Sequence, residues 1–185
     1  MLAKDFNARQ ITMEEYRDVF DFPVIDVYRG WGFDVDDGKF VKIADRFHEY
    51  YNAYVYKRCD VFPYVKPLLK KLKEKYKLVC LSATKYETLV GQLKHYEIYD
   101  YFDEVIGMSD KFAYGKIDLG TAWIKNNNID PSTVIFLGDT SHDQKVAAAM
   151  NVKMLSVACG HNSKEKLASK DAIIIEDIRE IEKYL

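Results

Sequence analysis

The hydrophobic pattern of the chain changes its period near residue 60. Between Thr12 and Cys59, apolar residues recur three and four positions apart, as in EEYRDVF, PVIDVYRGW and KFVKIADRFHEYYNAYVY, which is the spacing of amphipathic α-helices. Thr12 followed by Glu15 is also a capping-box signal for the start of the first of these helices. We therefore predict that residues 1–60 form a small, all-helical subdomain.

From Pro63 onward, helical segments alternate with short apolar runs. The runs are KLVCLS, DEVIG, TVIFLG, VKMLSVA and AIIIE. Helical patterns such as YETLVGQLKHYEI and KIDLGTAWIKNN stand between them, and a last predicted helix, IREIEKYL, follows the final run. Such alternation predicts an α/β fold over residues 61–185, with a parallel sheet flanked by helices. Folds of this kind bind ligands at the carboxyl ends of their strands, so functional groups are expected there.

Composition and charge narrow the choice of partners. The chain of 185 residues has 27 Lys and Arg against 29 Asp and Glu, and no block of like charge indicates a nucleic-acid or membrane partner. No apolar run is long enough to span a bilayer, and the first residues lack a signal-peptide pattern. The three cysteines (Cys59, Cys80 and Cys159) lack metal-ligand spacing and are expected to be reduced, buried thiols. We expect a cytoplasmic protein.

Hydroxyl side chains follow the first apolar run. Ser82, Ala83 and Thr84 come at the end of KLVCLS, before a helix that we predict to begin near Lys85. Hydroxyls and backbone N–H groups at a helix N-terminus can bind an anion such as phosphate. Ser and Thr are also preferred as helix caps, so a capping role stays open.

Two carboxylates follow the run TVIFLG. Asp139 comes directly after Gly138, and Asp143 lies four residues further on, in the first turn of the next predicted helix. A carboxylate at a strand end can ligate Mg²⁺, which binds one or two carboxylates together with waters and phosphate oxygens. The alternative is that these acids cap the helix, because its dipole favours carboxylates in the first turn.

A lysine opens the helix between these two sites. Lys116 follows Gly115 at the first position of KIDLGTAWIKNN, where the helix dipole disfavours a cation. An ammonium that reaches the strand ends could neutralise phosphate charge and the two aspartates together. A solvated surface lysine is the alternative.

In their order, these residues resemble motifs two, three and four of the haloacid dehalogenase superfamily, in its phosphoglycolate-phosphatase-like branch. Lys116 follows Ser82 after 34 residues, and Asp139 of GDTSHD follows after another 23. The flanking segments YFDEVIGMSD, AWIKNNNIDPSTVIFLGDT and KVAAAMNVKMLSVACGHNS agree with the family. The resemblance covers nearly the whole chain and implies a Rossmann-like core, with residues 1–60 as a helical cap.

The resemblance implies hydrolysis of a phosphate ester through an aspartyl-phosphate, with Mg²⁺ as cofactor. It implies that Ser82 and the backbone N–H of Ala83 bind the transferring phosphoryl group, and that Lys116 stabilises its negative charge and the nucleophile. Asp139 would ligate Mg²⁺, and Asp143 would support the water shell of the metal or hold Lys116. The substrate would be a small phosphorylated metabolite. The sequence indicates neither which phosphate ester it is nor the oligomeric state.

The first motif of the family, an apolar strand that ends in Asp-x-Asp, is not found. Its nearest imitation is Asp34 with Asp36 in GFDVDDGKF, but the preceding VYRGWGF makes a poor buried strand. We therefore expect the nucleophile on an N-terminal segment that this sequence does not contain. In the family that strand lies between the strands that are here KLVCLS and TVIFLG, so its absence predicts an unpaired edge on each.

Two functions therefore stay open. One is a Mg²⁺-dependent phosphatase that needs the missing motif to be an active enzyme, and the other is a non-catalytic relative that binds phosphate or metal as a regulatory module. A zinc site at His142 and His161 is disfavoured, because Mg²⁺ and phosphate chemistry uses oxygen ligands. Candidate contacts to the substrate from the helical region are guesses from polarity: Tyr28, Arg29, Trp31 and Tyr50.

Overall fold

The computed structural model of the protein describes residues 1–36, 38–108, 115–169 and 172–185. These residues form two units. The first comprises Met1–Cys59, Leu137–Gln144 and Met154–Leu185, and the second comprises Asp60–Phe136 and Lys145–Lys153. The first boundary falls where the hydrophobic period of the sequence changes. The assignment of residues 1–60 as a cap stays a proposal.

The N-terminal part of the first unit is helical. Its helices are α1 (Leu2–Asp5), α2 (Met13–Val19), α3 (Val24–Gly30) and α4 (Lys39–Arg58). The predicted capping box begins α2, because the Thr12 side chain accepts from the backbone N of Glu15 and the Glu15 carboxylate accepts from the backbone N of Thr12. The helices and loops enclose a cluster of buried residues: Tyr28, Phe33, Val35 and Ile43.

The rest of the chain alternates strands and helices, as predicted. The strands are β1 (Val79–Lys85), β2 (Glu104–Met108), β3 (Ile135–Gly138), β4 (Lys153–Val157) and β5 (Ile173–Ile175). The helices are α5 (Val65–Lys73), α6 (Tyr86–His95), α7 (Lys116–Asn126), α8 (Ser141–Met150) and α9 (Lys164–Leu167). Short 3₁₀ helices span Tyr99–Tyr101, Pro131–Thr133 and Ile178–Lys183, so the C-terminal segment predicted as helical takes the tighter 3₁₀ form.

The strands form two hydrogen-bonded sheets. β1 pairs in parallel with β2, with Val79 opposite Glu104. The second sheet has the order β3, β4, β5, and β4 pairs in parallel with β5. The predicted parallel pairing is therefore confirmed. Across the described part of the chain, β1 and β3 each have a single neighbouring strand, which agrees with the unpaired edges expected for these two strands.

Apolar side chains from strands and helices fill the core of each unit. In the second unit, Leu89, Leu93 and Ile98 are buried and pack against residues that include Cys80 and Val105. In the first unit, fully buried residues of the α/β part are Leu155, Leu167 and Ile175. Within the described ranges, no helix is long and apolar enough to cross a membrane.

The expectation that the cysteines are buried is wrong for two of them. Cys59 terminates α4 and Cys159 lies in the turn after β4, and both are exposed because neither position faces a core. Cys80, inside β1, is half-buried, and burial raises the pKa of its thiol. All three are free thiols.

Candidate active site

The residues predicted from the sequence are divided between the two units. Asp139 and Asp143 belong to the first unit, and Ser82, Ala83 and Lys116 belong to the second. Each group is positioned by elements of its own unit. That the two groups meet in one site stays a prediction.

The carboxylate of Asp143 closes the turn between β3 and α8. Its Oδ2 accepts from the backbone N of Asp139 (3.1 Å), the backbone N of Thr140 (3.1 Å) and the Thr140 hydroxyl (2.7 Å). The backbone N of Asp143 donates in return to Thr140 Oγ1 (3.1 Å), which makes a reciprocal capping box. Asp143 is only 5% exposed. The capping alternative therefore holds at Asp143, and its role toward a metal stays a proposal.

Gly138 allows Asp143 to approach the end of β3. A Cβ built on Gly138 would lie 2.4 Å from Cβ of Asp143 and 2.7 Å from its Oδ2, well inside van der Waals contact. Only glycine lacks that atom. The glycine of GDTSHD is thus required by the packing of the second acid.

Asp139 is held by the loop that follows β4. Its Oδ2 accepts from the backbone N of His161 (2.7 Å), and its carbonyl oxygen accepts from the backbone N of Asn162 (3.2 Å). A Cβ on Gly160 would lie 2.0 Å from Oδ2 of Asp139, so glycine is also required here. The Asp139 carboxylate is therefore oriented by a neighbouring loop, whereas Asp143 is oriented by its own turn.

Asn162 is a residue that the sequence analysis missed. It is fully buried, and its Oδ1 accepts from the backbone N of Ser141 (2.8 Å), while its Nδ2 donates to the carbonyls of Phe20 (2.8 Å) and Arg17 (3.3 Å). The Ser141 hydroxyl also donates to Asp21 (3.0 Å). The acid turn is thereby tied to the end of α2. The only sequence signal is an asparagine in the turn-like segment GHNS. That signal gives no indication of hydrogen-bond partners so distant along the chain.

The two histidines beside the acids have different surroundings. His142 lies in the first turn of α8, with its ring centroid 4.8 Å from that of Phe22. The His161 ring stacks on Phe20, with centroids 4.9 Å apart, and its Nδ1 lies 2.6 Å from the hydroxyl oxygen of Tyr16. Neither arrangement is that of a zinc site, where at least three protein side chains surround the ion.

Ser82 lies in an irregular part of β1. The pairing register with β2 shifts between Leu81 and Lys85, and the Ser82 hydroxyl accepts from the backbone N of Thr84 (3.1 Å). The capping alternative is wrong here, because the N-cap residue of α6 is Lys85, without a side-chain cap. Gly107 of β2 accommodates the irregularity, since a Cβ there would lie 2.9 Å from the carbonyl oxygen of Thr84.

Lys116 is the first residue of α7, as predicted. Its Nζ lies 5.3 Å from the ring centroid of Phe136 in β3, within cation–π range. The backbone N of Gly115 donates to the Asp118 carboxylate (3.1 Å), which supplies the acid that the helix start favours. The ammonium is therefore held over a strand residue, in contrast to the solvated alternative.

Asp34, the residue that most resembles the nucleophile of the first motif, is not preceded by a strand, since the first described strand begins at Val79. It is exposed in the loop between α3 and α4 and forms an ion pair with Lys39, whose hydrogen bond lowers the pKa of the Asp34 carboxyl. This placement agrees with the expectation that Asp34 is not the nucleophile.

The residues guessed as substrate contacts fall into different environments. Tyr28 is buried in the core cluster, and the Tyr50 hydroxyl donates to Asp5 (2.5 Å). Arg29 forms an ion pair with Asp26. Trp31 lines a cleft of about 250 Å³ in the first unit. The other residues that line this cleft include Asp21, Phe22, Pro23, Asp26 and Val27.

The donor set fits Mg²⁺ better than zinc. No group of three or more His, Cys, Asp or Glu side chains forms a metal site among the residues that the structure describes, whereas protein zinc sites use three or four such ligands. Mg²⁺ needs only one or two carboxylates, because waters and substrate phosphates complete its shell. Asp139, alone or with Asp143, can meet that requirement.

Comparison with known proteins gives a family match. A family model described as haloacid dehalogenase-like hydrolase matches residues 1–157. A search of curated protein sequences returned no match. The matched range includes Ser82, Lys116, Asp139 and Asp143.

Solved structures share the fold at low sequence identity. A haloacid dehalogenase-like family hydrolase from Streptococcus pneumoniae is 20% identical with a TM-score of 0.82 over 99% of this chain and 86% of its own. A predicted phosphoglycolate phosphatase from Haemophilus somnus (19%, TM-score 0.76) and protein tyrosine kinase A from Mycobacterium tuberculosis (19%, TM-score 0.78) match over the same shares. At such identities the likeness shows the fold alone, and the named activities differ.

Proposed function

The chain belongs to the haloacid dehalogenase-like hydrolase family, and on this premise we propose that it is a Mg²⁺-dependent phosphatase of a small phosphorylated metabolite. The observation that carries the proposal is that the family match over residues 1–157 includes every residue placed on the family motifs. The observed Rossmann-like arrangement of parallel strands and helices is the fold on which this chemistry occurs in the family.

Each residue has a role in this proposal. The Ser82 hydroxyl and the backbone N–H of Ala83 bind the phosphoryl group, and the Lys116 ammonium neutralises its charge, as in electrostatic stabilisation of phosphoryl transfer. Asp139 ligates the metal, and Asp143 keeps the acid turn in its shape. Mg²⁺ supplies positive charge at the phosphate oxygens when it is bound.

The nucleophile in this proposal is an aspartate on a strand that these 185 residues do not contain. It would attack phosphorus to form an aspartyl-phosphate, and water would then hydrolyse that ester. Two observations support this part: β1 and β3 each have one neighbouring strand within the described residues, and Asp34 stands in an exposed loop.

A non-catalytic phosphate-binding or metal-binding module is the second candidate function. It is favoured by the absence of an Asp-x-Asp at the end of an apolar run anywhere in the sequence. Such a module would keep Ser82, Lys116 and Asp139 as ligand-binding residues and would hydrolyse nothing.

Hydrolysis assays separate the two candidates. We would purify the protein from its natural source, measure its intact mass, and assay para-nitrophenyl phosphate and a panel of phosphate monoesters with Mg²⁺ and with a chelator. The phosphatase proposal expects Mg²⁺-dependent turnover that Asp139→Asn lowers by about 100-fold or more. Metal-independent turnover would contradict it. Robust turnover by these 185 residues alone that Asp34→Asn abolishes would overturn the assignment of the nucleophile.

A further inference from the structure

The loop after β4 is built around the candidate metal ligand. Gly160 leaves room for the Asp139 carboxylate, and His161 donates its backbone N–H to Oδ2 of that carboxylate at 2.7 Å. The next residue, Asn162, donates its backbone N–H to the Asp139 carbonyl and is itself fully buried. The backbone of His161 is thus fixed beside Asp139 on both sides.

The His161 ring is fixed as well. It stacks on Phe20 with an interplanar angle of 24°, and its Nδ1 contacts the Tyr16 hydroxyl at 2.6 Å. Asn162 holds the carbonyl of Phe20 at 2.8 Å, so the surface on which the ring stacks is tied to the same loop. The ring of this exposed histidine therefore contacts two residues, Phe20 and Tyr16, while its backbone binds Asp139, which is more organisation than capping a loop requires.

The contact with Tyr16 bears on where the ring carries its proton, because a Tyr16 hydroxyl that donates to Nδ1 leaves the proton of the neutral ring on Nε2. Tyr16 has no other hydrogen-bond partner among the residues that the structure describes. Its hydroxyl proton can therefore be donated to Nδ1 of His161. Burial raises the pKa of Tyr16 to about 12, which keeps the phenol protonated. A ring whose Nδ1 accepts carries its proton on Nε2.

The other ring nitrogen is available to a ligand. Within the described part of the chain, the only polar contact of the His161 ring is the one with Tyr16, and the residue is exposed. The ring belongs to a residue whose backbone N–H binds the Asp139 carboxylate, and an N–H donor there suits an oxygen of a metal-bound phosphate, which accepts hydrogen bonds strongly.

We propose that His161 is a substrate-binding residue whose Nε2–H donates to a phosphate oxygen of the substrate, and that Tyr16 is the positioning residue that orients it. This inference rests on the proposed phosphate chemistry at Asp139. It adds to that site a donor from the loop after β4 and a positioning residue from α2.

Two substitutions at His161 separate a binding role from a structural one. The side-chain amide nitrogen of glutamine takes approximately the place of Nε2, and that of asparagine takes the place of Nδ1. We would titrate inorganic phosphate into the chain with Mg²⁺ by calorimetry. His161→Gln should keep the affinity within about threefold, His161→Asn should lower it about tenfold, and Tyr16→Phe should lower it about threefold. His95→Asn, on α6, is the matched control and should leave the affinity unchanged.

The opposite ranking, with asparagine better than glutamine, would assign His161 a purely structural role and overturn the inference, as would equal affinities in all variants. Should a variant fail to fold, ¹⁵N NMR of the wild-type ring decides: a proton on Nε2 and a phosphate-induced shift of Nε2 are expected, and a proton on Nδ1 would contradict them. If Ser82→Ala weakens phosphate binding and the His161 variants do not, only this inference fails. If the wild-type chain binds no phosphate with Mg²⁺, the proposed function fails and this inference fails with it.

Discussion

The turn after β3 and the irregular part of β1 at Ser82 both carry polar groups of the candidate site, yet they differ in how those groups are hydrogen-bonded. In the first, the Asp143 carboxylate accepts three hydrogen bonds from its own turn and Asn162 makes three side-chain bonds. In the second, the Ser82 hydroxyl makes one, to the backbone of Thr84, among the described residues. The polar groups of the acid turn are thus largely used by the fold, while the Ser82 hydroxyl, which accepts a hydrogen bond, keeps its own proton for a ligand.

This difference indicates that the acid turn mainly stabilises the fold, whereas Ser82 mainly serves binding. Buried and fully bonded polar groups cost a great deal when one partner is removed, so the acid turn should respond to substitution mainly through stability. Ser82 carries little of the fold, so its substitution should act mainly on binding.

Replacing Asp143 should destabilise the protein most. Asp143→Ala leaves three donors of the turn, two of them buried, without their acceptor, and we expect a loss of about 3 kcal/mol in the free energy of unfolding. Urea denaturation followed by circular dichroism measures it. Asp18→Ala, at an exposed position of α2, should change it by less than about 0.5 kcal/mol. Equal effects of the two substitutions would refute the structural role of Asp143.

Adding one methyl group at Gly160 should cost about 2 kcal/mol, because the new Cβ would meet the Asp139 carboxylate and overpacking costs about 1–3 kcal/mol. Gly91→Ala is the matched control. Gly91 lies inside α6 with no atom within 4 Å of the added Cβ, so alanine should stabilise by up to about 1 kcal/mol. Thermal unfolding of both variants gives the comparison, and a harmless Gly160→Ala would show that the loop does not hold Asp139.

A substitution at Ser82, inside β1, should affect phosphate binding more than stability. Ser82→Ala should change the free energy of unfolding by less than about 0.5 kcal/mol, yet lower the affinity for inorganic phosphate with Mg²⁺ about tenfold. Calorimetry and urea denaturation on the same preparation measure both quantities. A large loss of stability with unchanged affinity would reverse the contrast between the two strand ends.

The smallest effect is a pH dependence from Tyr16. Its pKa is raised from 10.0 to about 12 in the folded protein, so its contribution to stability is fully present below pH 10 and is lost as the pH rises toward 12. The wild type should therefore lose more stability than Tyr16→Phe between about pH 10 and pH 12. Tyr86→Phe, at an exposed position, is the control. Identical losses in all three proteins would exclude a buried phenol at Tyr16.

The elements could be predicted because each depends on local pattern. The capping box at Thr12, the start of α7 at Lys116 and the parallel pairing all followed from periodicity and helix-end chemistry. The C-terminal segment was predicted as a helix and forms a 3₁₀ helix, since periodicity does not separate the two helix types over a few turns. β1 extends past Ser82 because its pairing with β2 resumes at Lys85 after an irregular stretch that Gly107 accommodates. This extension depends on the partner strand, so the local sequence pattern does not reveal it.

The sequence was enough to predict which residues belong to the candidate site, but not which atoms they contact. The two acids after β3 were identified from their spacing. Their different roles were not, because Asp143 caps its helix only where Gly138 makes room for it, and the loop holds Asp139 only where Gly160 makes room. Asn162 was missed because all its partners come from other segments. Hydrogen bonds across such distances follow from tertiary packing, which residue types alone do not encode.

Calorimetric titration of inorganic phosphate into the chain, with and without Mg²⁺, for the wild type and for Asp139→Asn, tests whether Asp139 holds a metal ion that binds phosphate. Our expectation is that Mg²⁺ strengthens phosphate binding by the wild type and that Asp139→Asn removes this metal dependence. Phosphate binding that is the same with and without Mg²⁺, or that Asp139→Asn leaves unchanged, would contradict it.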